Sequence, residues 1–508
     1  MSLFKESFIC SLIVLIWEKI VALYKESLTA RIVGAVWGCF KYGAIYHVLH
    51  NKNLLERTWT DSYFYRFLSF CFNLVPNSLA RLNGKHALIS DSVLLRLASK
   101  ISPYYMGAYL CFILVVPYSY WDNMYSLILS AGGLFLYWLG ASRIPESRVN
   151  LREISPWPVI FATACCFSLI WSQDFSISFR FLFFSLTCIF TVITLVSSVK
   201  NETQLLRIIE FMAIGLLVCS LYGLYQSYVG VEQSSSFTDL DANANMPGRI
   251  FSFFKNPNAF ANLLVYFIPL SASMIFYSPT WREKFFFLMV TGVAGLALLL
   301  TGSRGGWLSL AVSFLILALC LCPRWVPLFI VLAFLALPFL PDIITARIMS
   351  IFNGDSSVSS RNYIYSAVAR LLEDNWLLGV GLGTSALKRG IAYYDVYYAT
   401  FPFVHAHNIL LEIWAESGII AAGAFICTIC ASFVKGLAAR KRAKTPLLKA
   451  IIAGAIAGLT GSMVFGLTDY AWTFPRIMVL FWFLFAILYT AIKLTRLNPL
   501  IQKEGLIK

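Results

Sequence analysis

Charge is what this sequence has least of. Only 13% of its 508 residues are Asp, Glu, Lys or Arg, where a soluble globular chain carries about 25%. That shortfall excludes an ordinary water-soluble domain. Acidic residues are the scarcer sign, 25 against 40 Lys and Arg, and histidine occurs only 5 times. No basic stretch interleaved with aromatics sits on a soluble segment, so nucleic acid is not an expected partner. Zinc spacing is missing as well. Cys320 and Cys322 end an apolar run with no second pair. Cys165, Cys166, Cys188, Cys219, Cys427 and Cys430 lie inside apolar segments, where thiols act as small hydrophobes. The apolar run 8–17 is too short to span a bilayer and could pass for a signal-peptide core, but no small-residue cleavage site follows it, so a signal peptide is not expected. No internal repeat is visible, which speaks against a repeat-built transporter.

What the chain does have is apolar length. Hydrophobic residues make up 59% and the mean hydropathy is +0.73. Apolar runs lie near 104–119, 123–141, 156–172, 177–198, 205–226, 257–277, 285–302, 305–322, 325–341, 408–433, 448–467 and 475–493. Each roughly matches the ~20 residues a helix needs to cross hydrocarbon. The expected fold is an all-α polytopic membrane protein with about 12 transmembrane helices. Residues 1–103 mix Lys and Arg with aliphatic and aromatic residues, and read as basic amphipathic helices on the cytoplasmic membrane face. The alternative there is a transmembrane helix over 32–49, interrupted by Lys41 and His47. A membrane domain at 104–495 and a cytoplasmic tail at 496–508 complete the expected division.

Lys and Arg concentrate in cytoplasmic loops. With alternating helices, Arg143, Arg148, Arg152, Lys200, Arg207, Arg282, Lys284, Arg324, Lys435, Arg440, Lys441, Arg442, Lys444, Lys449, Lys493, Arg496 and Lys503 all fall on one side. That side is then cytoplasmic, with both termini, and the chain is a multi-pass protein of the cytoplasmic membrane. The opposite face carries two long loops, 230–256 and 342–407, rich in Gly, Asn, Ser and Asp. Long ordered loops of this kind are commonly functional. The second is the expected catalytic loop. Its Ser359-Ser360-Arg361 leads into Ile364, Ala367, Val368, Leu371 and Leu372 at helical spacing, an amphipathic outer helix.

Outer-face arginines are not needed for orientation, yet Arg249, Arg304, Arg347, Arg361, Arg370, Arg389 and Arg476 fall there. Three helix starts accompany them. Asn256-Pro257-Asn258 puts an Asn cap before a first-turn Pro, Ser303 precedes the run at Arg304, and Asn408 heads the tenth run. Outward helix N-termini beside arginines suit a diphosphate. For Arg304 the plainer reading is an interfacial arginine contacting lipid phosphates. His407 is the candidate general base, since imidazole titrates near neutral pH; the plainer reading is a loop histidine that only hydrogen-bonds. Its company is Asn408, then Glu412 and Glu416, which share one helix face inside an apolar run. His405 and His407 raise the question of a metal, but no carboxylate with ligand spacing accompanies them, so neither metal nor cofactor is expected. Asp469 lies in an outer turn, able to pair with an arginine or orient the base, or simply to cap the turn. Gly379-Val380-Gly381-Leu382-Gly383 lacks the flanking strand and helix of a dinucleotide loop and reads as a segment of close backbone approach.

At these residues the chain resembles the O-antigen ligase/polymerase superfamily, membrane glycosyltransferases sharing a C-terminal Wzy-type domain. The resemblance rests on Gly248-Arg249-Ile250-Phe251 through Asn256-Pro257-Asn258, on Thr301-Gly302-Ser303-Arg304-Gly305-Gly306, on Ser360-Arg361 through Gly383, and on His407-Asn408 through Gly418. It covers roughly 104–495. His407, Asn408 and Gly418 match the ligase pattern, and Ala421 stands where it has a second Gly. The resemblance implies transfer of a glycan from undecaprenyl diphosphate to an acceptor hydroxyl on a glycan, lipid or protein, without metal, at the outer face of the membrane. Arg304 and Arg361 would bind the diphosphate and His407 would position or deprotonate the acceptor. Asp469 matches an acidic position, and with Arg249, Asn258, Asn408, Glu412 and Glu416 it completes the candidate substrate site. Membrane lipids are the remaining expected partner. The alternatives are a polymerase of lipid-linked repeats in the same superfamily, and a small-anion, bicarbonate-like transporter. A scaffold protein would leave the outer arginines unexplained. A transporter should carry ionisable groups near the bilayer midplane, whereas these cluster at the rim.

Overall fold

Caps written into the sequence start most of the helices. Asp122 accepts from Met124 N at the head of α4 (Asn123–Ala141), Asp174 from Ile177 N at α6 (Phe175–Ser198), and Asn201 from Gln204 N at α7 (Glu202–Val229). Asn256 accepts from Asn258 N and Ala259 N, with Pro257 opening α8 (Pro257–Tyr277). Thr280 and Glu283 form a capping box on α9 (Trp281–Leu300). The computed structural model describes residues 52–85, 92–142, 148–231, 248–336, 356–394 and 405–504. The run 8–17, the alternative span 32–49, Arg347, and the loop segments 342–355 and 395–404 lie outside the described residues.

Among the described residues every regular element is helical. The remaining helices are α1 (Lys52–Asp61), α2 (Tyr63–Lys85), α3 (Val93–Val115), α5 (Pro156–Ser168), α10 (Arg304–Leu321), α11 (Val326–Ala336), α12 (Ser356–Asn375), α13 (Thr384–Ile391), α14 (Ile409–Arg442), α15 (Pro446–Gly466) and α16 (Pro475–Glu504). Each of the twelve apolar runs falls on a helix. Among the described residues 9 helices are long and apolar enough to cross a membrane: α4, α6 to α10, and α14 to α16. The other three runs fall on α3, which carries Arg96 and Lys100, and on the shorter α5 and α11. The chain is therefore an all-α, multi-pass integral membrane protein, without the count of 12 being reached on this criterion.

The chain divides into two compact units, residues 1–66 with 318–341 and residues 67–317 with 342–508. In the first, Trp59 and Tyr65 meet edge to face with ring centroids 5.4 Å apart. The second holds the main bundle. In α16 residues 475–495 are all buried in it, because this stretch is apolar all round, with the consecutive Leu480, Phe481, Trp482, Phe483 and Leu484 pointing to every side. Helix α8 is nearly as enclosed and packs closely on α15. A Cβ at Gly458 of α15 would meet the Tyr266 carbonyl of α8 at 2.3 Å, so only glycine permits that backbone approach. Helix α2 is tied to the bundle by Asn73, whose amide exchanges two hydrogen bonds with the Val149 backbone. Helix α3 runs unbroken across residue 103.

Candidate functional site

Four segments distant in sequence meet at the N-terminal ends of α8, α10 and α14. The loop before α14 carries His405, Ala406 and His407. Each is pinned. The His407 N–H donates to His405 Nδ1 at 3.1 Å. The Ala406 N–H donates to Glu412 Oε2. Asn408 accepts from Leu410 N and Leu411 N at 3.0 and 3.1 Å and starts α14. His407 itself sits at φ 48, a left-handed conformation rare for residues other than glycine. Asn408 is thus spent as a helix cap, as the sequence suggests.

The turn between α15 and α16 supplies Asp469. Its Oδ1 lies 3.1 Å from His407 Nδ1 and 3.7 Å from His405 Nε2. The same oxygen accepts the Tyr470 N–H at 2.8 Å, and Oδ2 accepts Asn258 Nδ2 at 2.9 Å. Asn258 Oδ1 in turn accepts from Arg249 Nη2 at 2.6 Å, while Arg249 Nε donates to the Thr301 carbonyl at 2.7 Å. A continuous chain of bonds therefore runs Arg249, Asn258, Asp469, His407.

This bonding assigns the tautomers. His405 Nδ1 accepts a backbone N–H, so its proton is on Nε2, the nitrogen facing Asp469. His407 turns Nδ1 to the carboxylate, so the neutral form of the ring has its proton on Nδ1 and its lone pair on Nε2. Burial pushes His405 down to about 4; the Asp469 charge opposes this and the charges of His407 and Arg361 add to it. His405 is thus neutral at pH 7, and its contact with Asp469 is a neutral donor on a carboxylate. Burial by itself would raise Asp469. The His407 hydrogen bond, the two imidazoles and the Tyr470 N–H outweigh it and hold the carboxyl well below the usual range.

Arg304 opens α10 and is half-buried. Its neighbour Gly305 packs so near the Asp469 turn that a Cβ there would meet Thr468 Oγ1 at 2.7 Å. Ser303 accepts the Gly306 N–H, the expected cap. Arg361, half-buried on α12, lies near enough for its charge to act on His405. Glu412 and Glu416 lie deeper, 0% and 4% exposed. Neither reaches solvent, and one carboxyl oxygen of each lacks a hydrogen-bond partner among the described residues.

Helix α14 breaks just past them. Gly418 has φ 79 and ψ 175, a combination essentially reserved to glycine. The freed carbonyls of Ala415 and Glu416 accept from Val380 N and Gly381 N, and Ile419 N donates to the Trp376 carbonyl. The glycine-rich segment after α12 thus docks into the break, the close approach its composition predicts. Ala421, in the regular helix beyond, sits where a side chain fits.

Sequence reasoning offered Asp469 as a group able to orient the base, but did not foresee His405 as the residue that holds His407. His405, His407 and Asp469 offer ligand atoms within 4.8 Å of one another, a spacing a cation could use. The nitrogens facing Asp469, however, are those the hydrogen bonds assign as protonated, and a metal would need both bare.

Residues 285–426 match the family model described as O-antigen ligase. Over that stretch the chain is similar to the O-antigen ligase family. The matched stretch includes Arg304, Arg361, His405, His407, Glu412 and Glu416, and leaves Arg249, Asn258 and Asp469 outside. No curated protein matches the chain. The similarity points to an enzyme of the glycosyltransferase or ligase type, in a family whose substrates are lipid-linked glycans at a membrane.

Proposed function

We propose that the protein is an O-antigen ligase-like enzyme that transfers a glycan from undecaprenyl diphosphate to an acceptor hydroxyl at the outer face of the cytoplasmic membrane. The observation that carries this reading is the Asp469–His407 contact, which turns Nδ1 to the carboxylate and leaves Nε2 of a 29% exposed side chain as the nitrogen open to an acceptor. A fixed imidazole with a free lone pair is what a hydroxyl acceptor needs. The acceptor oxygen attacks the anomeric carbon, its proton passes to or is held by Nε2, and the bond from that carbon to the diphosphate oxygen breaks. Arg304 and Arg361 would take the charge that gathers on the leaving diphosphate. Arg249 and Asn258 hold Asp469, and Glu412 holds the Ala406 backbone, so these three act by positioning. Glu416 supports the break in α14, and no cofactor takes part in these steps. A lysine- and arginine-rich cytoplasmic side supports the orientation.

The test is donor binding and single-turnover transfer for His407→Ala in one preparation. The expected result is lost transfer with donor binding retained. Loss of binding in a folded variant moves His407 to the diphosphate, and retained transfer removes it from the mechanism. For sidedness, cysteines at Ser357 and Lys441 in a background without native cysteines are exposed to an impermeant thiol reagent in intact cells. Labelling at 441 but not 357 overturns the orientation.

A further inference from the structure

Next to the His407 site lies a cavity of about 260 Å³ that the transfer chemistry does not use. It shares with that site the first turn of α8, where Ala259 lines it beside Asn258, and the turn that carries Asp469, which it reaches at Thr473. Its volume is below the ~300 Å³ typical of drug-sized ligands, so it suits one small ring. Aromatic rings from Tyr118, Trp121, Phe254 and Phe474 line it. Trp121 donates its indole N–H to Asn123 Oδ1 at 3.0 Å, so its polar edge is satisfied and it offers apolar ring surface.

The cavity is also positive. Two cations line it, Lys255 and Arg476, and among the described residues no acidic one does. Arg476 is 4% exposed and its guanidinium lies 4.6 Å from the Trp121 ring and 4.1 Å from the Phe254 ring. It donates to the carbonyls of Ile113 and Phe253, and no carboxylate pairs with it among the described residues. Lys255 is exposed and makes no ion pair among the described residues.

The backbone that presents Lys255 is held in an unfavourable shape. Ser252 and Lys255 have φ of 51 and 43. Such conformations persist where the surroundings over-determine them, and they cluster at binding sites. Here Gln226 Oε1 accepts from Phe251 N and Ser252 N, and Ser252 Oγ donates to the Cys219 carbonyl at 2.6 Å.

We infer that this cavity is a subsite for one acidic sugar residue, its carboxylate on Lys255 and its apolar face on Trp121 and Tyr118. That the sugar belongs to the transferred glycan rests on the proposed function; the binding itself does not. The same chemistry, an anion beside an apolar surface, also describes an anionic lipid headgroup. The observations favour the sugar because the cavity adjoins the groups that would meet the glycan's reacting end.

The experiment uses the full chain and free methyl β-glucuronide, with methyl β-glucoside as the uncharged partner, read by saturation-transfer NMR. Nanodiscs of phosphatidylcholine and of phosphatidylglycerol form the two arms. The expected result is glucuronide binding about tenfold tighter than glucoside, equal in both discs, and reduced to the glucoside level by Lys255→Gln. Lys255 is exposed, so that variant keeps the fold. Equal binding of the two sugars, or an unchanged preference in Lys255→Gln, overturns the proposal. Loss of glucuronide binding in phosphatidylglycerol alone assigns the cavity to lipid and overturns it too. His407→Ala is expected to bind glucuronide normally, so a failure of the transfer reading and a failure of this one are told apart.

Discussion

Gly418 lies so close to Leu377 that a Cβ on it would meet the Leu377 carbonyl oxygen at 2.0 Å. This contact joins the break in α14 to the glycine-rich segment between α12 and α13. Gly418→Ala has to expel that segment and also leave a backbone region closed to alanine, at a cost of about 3 kcal/mol or more. The expected outcome is lost transfer with faster proteolysis between residues 376 and 383. Ala421→Gly restores the second glycine of the ligase pattern but lies in regular helix, so it should cost only about 1 kcal/mol and keep activity. An active Gly418→Ala with an inactive Ala421→Gly would refute the assigned roles.

Asp469 accepts from three donors, the His407 ring, the Tyr470 N–H and the Asn258 amide. An asparagine there can satisfy two of them with its oxygen, but it turns an NH2 group toward the Asn258 NH2. Asn258 must then flip, which restores that link but presents an NH2 group to Arg249 and breaks the chain there. Asp469→Asn is expected to lower kcat by about 100-fold to 10,000-fold with donor KM little changed. A rise in donor KM at unchanged kcat would make Asp469 a donor ligand instead of the group that orients His407.

Caps and spans were readable from local pattern, because Asn256-Pro257, Ser303 and Asn408 act within one turn of themselves. The glycine-rich segment was readable as a place of close approach, but not the helix it approaches, since Gly418 interrupts α14 through φ and ψ without any interruption of hydropathy. The Asp469–His407 pair crosses 62 residues, and nothing in the spacing of either motif announces it. Glu412 and Glu416 were conspicuous as carboxylates in an apolar run. They are buried, and only the folded loop reveals Ala406 N–H as the partner of Glu412. Residue 103 falls inside α3 because the apolar run from 104 is continued backward by a helix that carries Arg96 and Lys100.

Arg304 and Arg361 are expected to act on the departing diphosphate. Replacing either with alanine should remove about 2–4 kcal/mol of transition-state stabilisation, roughly 30-fold to 1,000-fold in rate, with insertion and expression intact. Lysine should restore little, because a point charge does not reproduce the guanidinium fork. Initial rates with purified protein and lipid-linked donor check this. Wild-type rates in both alanine variants would exclude the two arginines from the mechanism.

His405 gives the catalytic loop a pH limit whose sign follows from its environment. Burial lowers it from 6.5 to about 4 in the folded protein, against the partial opposition of Asp469 and with help from His407 and Arg361. Between those two values the unfolded loop binds a proton that the folded loop refuses. Stability therefore falls as pH falls from 6.5 towards 4, and this residue adds no dependence above 6.5. The full effect is about 3 kcal/mol. Asp469, shifted the other way, loses its contribution only below its ordinary value of 3.8, outside the window. The measurement is hydrogen exchange of the backbone amides at 405–411 in detergent, corrected for intrinsic rates, from pH 7 to pH 4. In the wild type, protection should fall by up to about tenfold per pH unit through the window. His405→Asn keeps an acceptor at the Nδ1 position for the His407 N–H and has no titrating ring, so its profile should be flatter. An identical slope in the variant would place the titration on another group.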